Sequence, residues 1–279
     1  MHHSRRTSVP AFTAVFAAVV LGLVGCAAAD PDTPRSAEIA LPPVDAVPDY
    51  QLGGAYEPET AVTLVARDRT AAPDPTRYSI CYVNGFQTQP GELEIWPENA
   101  LLRAADGATV VDPAWPDEVL LDTSSAAQRA EILAIVQPWI VGCAASGFDA
   151  VEFDNLDSYT RSNGALTLAD NLALATDLVA SAHEAGLAAG QKNAAEDATE
   201  LHDRAGFDFA VTETCAAYRE CAAFTEVYAG HVIDIEYTDF LPRTFAEMCD
   251  DAESPPAMVL RDRELTSPEH AGYVFERCA

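Results

Sequence analysis

Several apolar runs in this 279-residue sequence end on carboxylates. Ala150-Val151-Glu152-Phe153-Asp154-Asn155 carries two acids, with Asp157 just beyond, and Phe209-Ala210-Val211-Thr212-Glu213 ends on one. The run Val232–Tyr237 finishes on Glu236 and Tyr237. Two carboxylates facing each other across a groove can cleave a glycosidic bond. One protonates the leaving oxygen while the other attacks the anomeric carbon or activates water. That division of labour needs unequal pKa values set by different surroundings. Asp154 and Glu213 are the candidate catalytic pair. Asp154 is read as the ionised partner near Lys192, and Glu213, beside the apolar lining of its own strand, as the holder of the proton; the reverse assignment stays open. Side chains two apart on a strand share a face, so Glu152 and Asp154 point the same way and at least one acid faces the barrel mouth.

Lys192 is the only lysine in a chain of net charge −28. Two chemical roles fit it: an ammonium that pairs with neighbouring carboxylates and holds their pKa values down, or an amine that forms a Schiff base with a carbonyl substrate. A salt bridge without chemistry is the bland alternative. Candidate substrate-binding residues are Tyr50, Asp122, Asp157, Lys192, Asn193, Glu236 and Tyr237. A single acid ending a strand is as often a helix N-cap, and that reading weighs equally for Asp122 and Asp262, while Asp157 and Asn155 have a rival role in fixing a loop. No GxSxG elbow, HExxH pair, P-loop, GxGxxG turn or CxxC pair occurs, and the six histidines lack ligand spacing. No metal or organic cofactor is expected. With 44 acidic against 16 basic residues the chain is unsuited to nucleic acid.

These groups need a scaffold. Strand candidates begin near Tyr50, Tyr78, Val119, Ala150, Leu187, Phe207, His231 and Ala257. Between them, residues 167–185 carry Leu168, Leu172, Ala175, Val179 and Ala182 at helical spacing, opened by a Thr167/Asp170 capping box and stopped at Gly186. Residues 126–141 carry a second stripe, Ile132, Ile135, Val136 and Ile140, interrupted at Pro138, and shorter helices are predicted at 196–205 and 217–228. Eight such units predict a single-domain α/β protein, a (β/α)8 TIM barrel, whose site gathers at the C-terminal strand ends. The third of those ends is read at Asp122.

Arg5 and Arg6 precede an apolar run, Ala11–Val24, too short to span a bilayer but suited to a signal peptide. Leu23-Val24-Gly25-Cys26 resembles a bacterial lipoprotein signal, with an ordinary cleaved signal as the alternative and Ser4-Arg5-Arg6 leaving twin-arginine export open. Residues 1–25 are thus read as a signal, Cys26 as a lipidated membrane anchor outside the cytoplasm, 26–48 as a flexible tether and 49–279 as the folded, monomeric domain. Six further cysteines predict three disulfides. Cys215–Cys221 is favoured as nearest in sequence, and Cys81–Cys143 and Cys249–Cys278 follow by chain proximity.

DYQLGGAY at 49–56, ICYVNGFQTQPGE at 80–92, GFDAVEFDNLDSY at 147–159, GLAAGQKN at 186–193, GFDFAVTETCAAYREC at 206–221 and IEYTD at 235–239 resemble glycoside hydrolase family 114. The founding activity of that family is endo-α-1,4-polygalactosaminidase. The resemblance covers essentially everything from Asp49 onward. It implies a (β/α)8 fold, catalytic acids at Asp154 and Glu213, a Cys215–Cys221 bridge and a polysaccharide containing amino sugars as substrate. The chain departs from the family where members commonly read Glu-Pro-Asp-Asn or Asp-Pro-Asp-Asn and it has Glu152-Phe153-Asp154-Asn155. It departs again at Val83-Asn84-Gly85-Phe86, in place of a Phe-Ser-Ala-Gly type strand end. A cationic galactosamine polymer would be drawn to so acidic a protein, an attraction that salt weakens. The rival outside the enzymes is a surface lipoprotein that binds glycans without turnover.

Overall fold

The computed structural model describes residues 39–278. Its centre is one sheet in the order β1 (Pro48–Tyr50), β2 (Leu64–Asp68), β3 (Tyr78–Asn84), β4 (Ala150–Asp154), β5 (Ala188–Lys192), β6 (Phe209–Glu213), β7 (Val232–Tyr237), β8 (Ala257–Arg261) and β9 (Phe275–Arg277). The first eight strands run parallel, and β9 returns antiparallel beside β8. The helices are α1 (Ala126–Ser146), α2 (Leu168–Glu184), α3 (Ala198–Glu200), α4 (Cys215–Tyr218), α5 (Cys221–Tyr228) and α6 (Phe245–Cys249). This is a (β/α)8 barrel with a seam between β1 and β8. Arg261, fully buried, bridges that seam: it pairs with Asp49 at 2.9 Å and also donates to the Tyr50 carbonyl.

Period-two alternation divides each strand. Leu64, Ile80, Ala150, Ala188, Phe209, Ile233, Ile235 and Val259 fill the barrel interior. Val83, Val151, Phe153, Ala210, Val232 and Leu260 face outward into the layer shared with the helices. Each Val, Leu, Ile or Phe among them stabilises the fold by about 1.5–3 kcal/mol through burial, and each Ala by less. Gly190 shares the inward face with Ala188 and Lys192, and it has no room for a side chain, since a Cβ there would meet the Phe209 ring at 2.4 Å. That absent side chain lets Phe209 cross the interior directly beneath Lys192.

α1 begins at the Ser125 cap and buries Ile132, Val136, Ile140 and Cys143. It continues through Pro138 rather than breaking there. Pro138 and Ala134, whose carbonyl loses its partner, are both exposed, which lowers the cost of the missing bond. α2 carries the Thr167/Asp170 capping box and buries Leu172, Ala175, Val179 and Ala182.

Two readings are corrected. The run at Val119 is no sheet strand: Val119, Leu120 and Leu121 make isolated antiparallel bridges within the long excursion between β3 and α1. Leu64–Asp68 is the missing strand instead. The described part of the expected tether also packs against the barrel. Ile39 and Ala46 join the interior cluster, and His231 contacts the Pro42 carbonyl at 2.9 Å. The folded part therefore begins before residue 49, because those apolar side chains cover the N-terminal strand ends. Disulfides join Cys81 to Cys143, Cys215 to Cys221 and Cys249 to Cys278. The signal segment and Cys26 lie outside the described residues.

Candidate active site

Inward-facing positions at the C-terminal ends of β3 to β7 converge on Lys192. Its Nζ lies 3.2 Å from Glu213 Oε2 and 3.8 Å from Asp154 Oδ2, and the side chain is only 2% exposed. The rings of Tyr50 and Tyr82 flank it at 5.2 and 5.7 Å. Burial favours the neutral amine, but Asp154, Glu213 and Glu152 outweigh it and raise the Lys192 pKa above its ordinary value. Lys192 is held as an ammonium, which opposes the nucleophilic amine that a Schiff base requires.

Asp154 Oδ2 accepts from the Tyr82 hydroxyl at 2.7 Å, and Oδ1 accepts from the Asn155 amide at 2.8 Å. Asn155 takes φ 63°, a left-handed conformation that Asn tolerates and that turns the chain sharply off β4. Glu213 Oε1 accepts from the Tyr237 hydroxyl, and Oε2 accepts from Asn193 Nδ2 at 3.1 Å. Asn193 Oδ1 in turn accepts the Glu213 amide at 2.8 Å, so one side chain fixes both the backbone and the carboxylate of Glu213. Burial works against charge on Glu213, yet Lys192 and the Tyr237 hydroxyl prevail and hold its carboxyl below the ordinary range. The expectation that Glu213 keeps its proton is therefore corrected: its surroundings are donors, and its apolar strand neighbours do not decide its charge.

Glu152 lies one inward step below Asp154. It is fully buried and accepts from the Tyr50 hydroxyl at 2.7 Å. Burial pushes its pKa up to about 7, a rise moderated by Lys192.

Above these groups opens a cavity of about 350 Å³, lined by Tyr82, Asp154, Lys192, Glu213 and Tyr237 from the barrel and by Trp115, Glu118 and Arg263 from the loops. Glu213 also borders a neighbouring cavity of about 270 Å³, with Asp157, Asn193, Glu196 and Glu220. Asp157 pairs with Arg161 at 2.9 Å on the rim of that second space.

Three expected binding residues stand elsewhere. Tyr50 is 1% exposed and lies beneath Lys192, where it supports Glu152. Asp122 belongs to no strand; it accepts from the Ser124 amide at 3.0 Å and from Gln128, organising the turn before α1. Glu236 faces outward from β7, because only one of two adjacent strand residues can face the mouth and Tyr237 takes that place. Asp262 accepts from the Thr266 and Val274 amides, a loop-fixing role.

Sequence reading misses Tyr82, Trp115, Glu118 and Arg263. Tyr82 carries a signal: it lies two residues before Asn84 on the same strand face. The others come from loops, where periodicity says nothing about direction. Glu118 Oε2 accepts from Asn84 at 3.1 Å and from Gln87 at 2.9 Å, and the residue has no cationic partner among the described residues. Burial, with Asp154 and Asp112 nearby, raises its pKa. Arg263 lies over the Tyr237 ring at 3.9 Å and pairs with Asp239.

The structure is similar to that of Ega3 from Aspergillus fumigatus in complex with galactosamine, with a TM-score of 0.69 and 22% identity, over 86% of this chain and 97% of that one. It is also similar to the glycoside hydrolase domain of PelA from Pseudomonas aeruginosa, with a TM-score of 0.55 and 14% identity, over 82% and 98% of the two chains. No curated protein sequence matches the chain. At these identities the likeness speaks for the fold. The sequence pattern of the glycoside hydrolases of family GH114 matches residues 28–279, so the chain belongs to that family.

Proposed function

We propose that this glycoside hydrolase cleaves a polysaccharide containing amino sugars, with Asp154 and Glu213 as the catalytic carboxylates. The observation that carries the reading is their convergence, from different strands, on the single buried ammonium of Lys192. Glu213, held charged by Lys192, Tyr237 and Asn193, serves as the attacking carboxylate. With Glu213 assigned to attack, Asp154 is left to deliver the proton to the leaving oxygen and then to activate water. Lys192, Asn193 and Tyr237 tune and orient the pair. In the cavity wall, Glu118 offers an open carboxylate oxygen to a cationic group, and Trp115, 58% exposed, offers a flat apolar face to a sugar ring. Both features suit a sugar bearing a free ammonium, the group present in the galactosamine of the Ega3 complex.

We further read the chain as exported and anchored through a lipid on Cys26. The three disulfides support an oxidising compartment. Asp157 borders the second cavity and is assigned to binding of the polymer beyond the cleaved bond.

The test is incubation with galactosamine, N-acetylgalactosamine and galactose polymers, using Asp154→Asn and Glu213→Gln as controls. Release of oligosaccharide from the galactosamine polymer, abolished in both variants, is the expected result. Binding without cleavage by every form would overturn hydrolysis in favour of a glycan-binding protein.

A further inference from the structure

We infer that Asp234 and Glu236, on the outer face of β7, share one proton and act as a positioning pair for Glu213. Both are fully buried. Asp234 Oδ1 accepts from the Thr212 hydroxyl at 2.7 Å and from the Cys215 amide at 3.2 Å. Glu236 Oε1 accepts from the Ala216 and Ala217 amides at 2.9 and 3.0 Å. The pair thus holds three consecutive amides that follow Glu213-Thr214. Between them, Thr214 adopts φ 63°, a left-handed conformation that a β-branched residue takes only when its surroundings impose it. The turn that aims Glu213 into the barrel mouth is held from behind by these two carboxyl groups.

The remaining oxygens, Asp234 Oδ2 and Glu236 Oε2, are buried and meet no N–H or O–H donor among the described residues, and the two carboxyl groups lie within hydrogen-bonding reach of each other. Two bare carboxylates at that range repel strongly in a dry interior, so a proton between them satisfies both. Glu236 is the charged member, since it takes two amide donors and faces Arg243. Asp234 is the protonated one, donating to Glu236. Arg243, which donates to the Ala216 carbonyl at 2.7 Å and pairs with Asp251 at 2.6 Å, is the charged group that faces the pair from the loop before α6. The Cys215–Cys221 bridge packed beside it carries no charge. As pH rises and the shared proton leaves, a second negative charge appears in the dry interior, and the hold on residues 215–217 is disturbed. The role in catalysis rests on the reading of Glu213 as a catalytic carboxylate; the shared proton does not.

The test uses the full, disulfide-bonded chain with Asp234→Asn, Glu236→Gln and the double variant. Each single amide keeps the accepting oxygen and supplies an N–H where the proton was. In the double variant, two N–H groups face each other with no acceptor between them. Above the titration of Glu152, the wild type should show the infrared C=O stretch of a protonated carboxyl that both single variants lack. The double variant should melt well below either single. Where the polymer is cleaved, the singles should retain turnover within about threefold and carry the alkaline limb of kcat to higher pH. The double should lose about tenfold or more in kcat with KM little changed, and either single should restore it. Absence of the infrared band in the wild type, its persistence in both singles, or a double variant that melts like the singles would overturn the shared proton. These readouts need no substrate, so a failure to find a cleavable polymer bears on the proposed function alone. An alkaline limb and kcat that stay unmoved while the band disappears would overturn the positioning role.

Discussion

The ammonium of Lys192 lies 3.2 Å from Glu213 Oε2 at the floor of the cavity, almost wholly shielded from solvent. Such a contact fixes the charge of Glu213, because it acts where water cannot screen it. Lys192→Met should therefore raise the Glu213 pKa. The acid limb of the pH–rate profile should move to higher pH, and kcat should fall by roughly a hundredfold or more. A profile with an unmoved acid limb, measured in a variant that still folds by circular dichroism, would remove Lys192 from this role.

The same ammonium limits how far apart the two carboxylates stand. The 3.8 and 3.2 Å contacts laid end to end cap the Asp154 Oδ2 to Glu213 Oε2 separation at 7.0 Å. Retaining glycosidases hold their carboxyl groups about 5–5.5 Å apart and inverting ones about 6.5–9.5 Å; for the oxygen pair facing Lys192 the cap admits the retaining spacing and only the lower end of the inverting one. Retention of the anomeric configuration is the expected outcome, read by proton NMR of the first product. Azide should rescue Glu213→Gln with an inverted glycosyl azide and Asp154→Asn with a retained one. The opposite pattern would exchange the two roles.

Glu118, like Glu264 on the same cavity wall, has no cationic partner among the described residues, but unlike the exposed Glu264 it is half-buried and anchored by Asn84 and Gln87. Glu118→Gln keeps an oxygen for Asn84 and Gln87 but removes the charge offered to a sugar ammonium. KM for a galactosamine polymer should rise about tenfold, equivalent to roughly 1.4 kcal/mol, while cleavage of a neutral polymer changes little. Equal effects on both polymers would show that Glu118 does not read the ammonium.

The limits of sequence reading follow from which faces are buried. In β4 and β6 the acids stand out from apolar neighbours, so Asp154 and Glu213 are legible at their strand ends. In β2, Leu64 and Ala66 face the interior while Val65 faces outward and is also buried, so no polar alternation marks those positions. The apolar run at Val119 looks equally strand-like in sequence and takes its place in the count. The choice between Glu236 and Tyr237 has the same origin. Both faces of β7 are buried, and parity alone decides which side chain enters the barrel. Trp115 and Glu118 reach the cavity through a long excursion, whose path depends on bridges such as Val111 to Val119 and on no local repeat.

Glu152 ties the site to the stability of the barrel. Its pKa rises from 4.5 to about 7 on folding, chiefly through burial. A carboxyl raised in the folded state binds its proton more tightly there than in the unfolded chain. Its cost to stability is absent below pH 4.5, grows as pH climbs to about 7, and is constant above that. At neutral pH the cost is on the order of 3 kcal/mol, since each tenfold change in proton affinity corresponds to about 1.4 kcal/mol. Glu152→Gln keeps an acceptor for the Tyr50 hydroxyl and has no proton to lose. Urea unfolding of the wild type should show stability falling across that interval relative to the variant, with the two curves parallel above it. Curves parallel throughout would mean that Lys192 and the Tyr50 hydroxyl together cancel the effect of burial and leave Glu152 with the affinity for protons that it has in the unfolded chain.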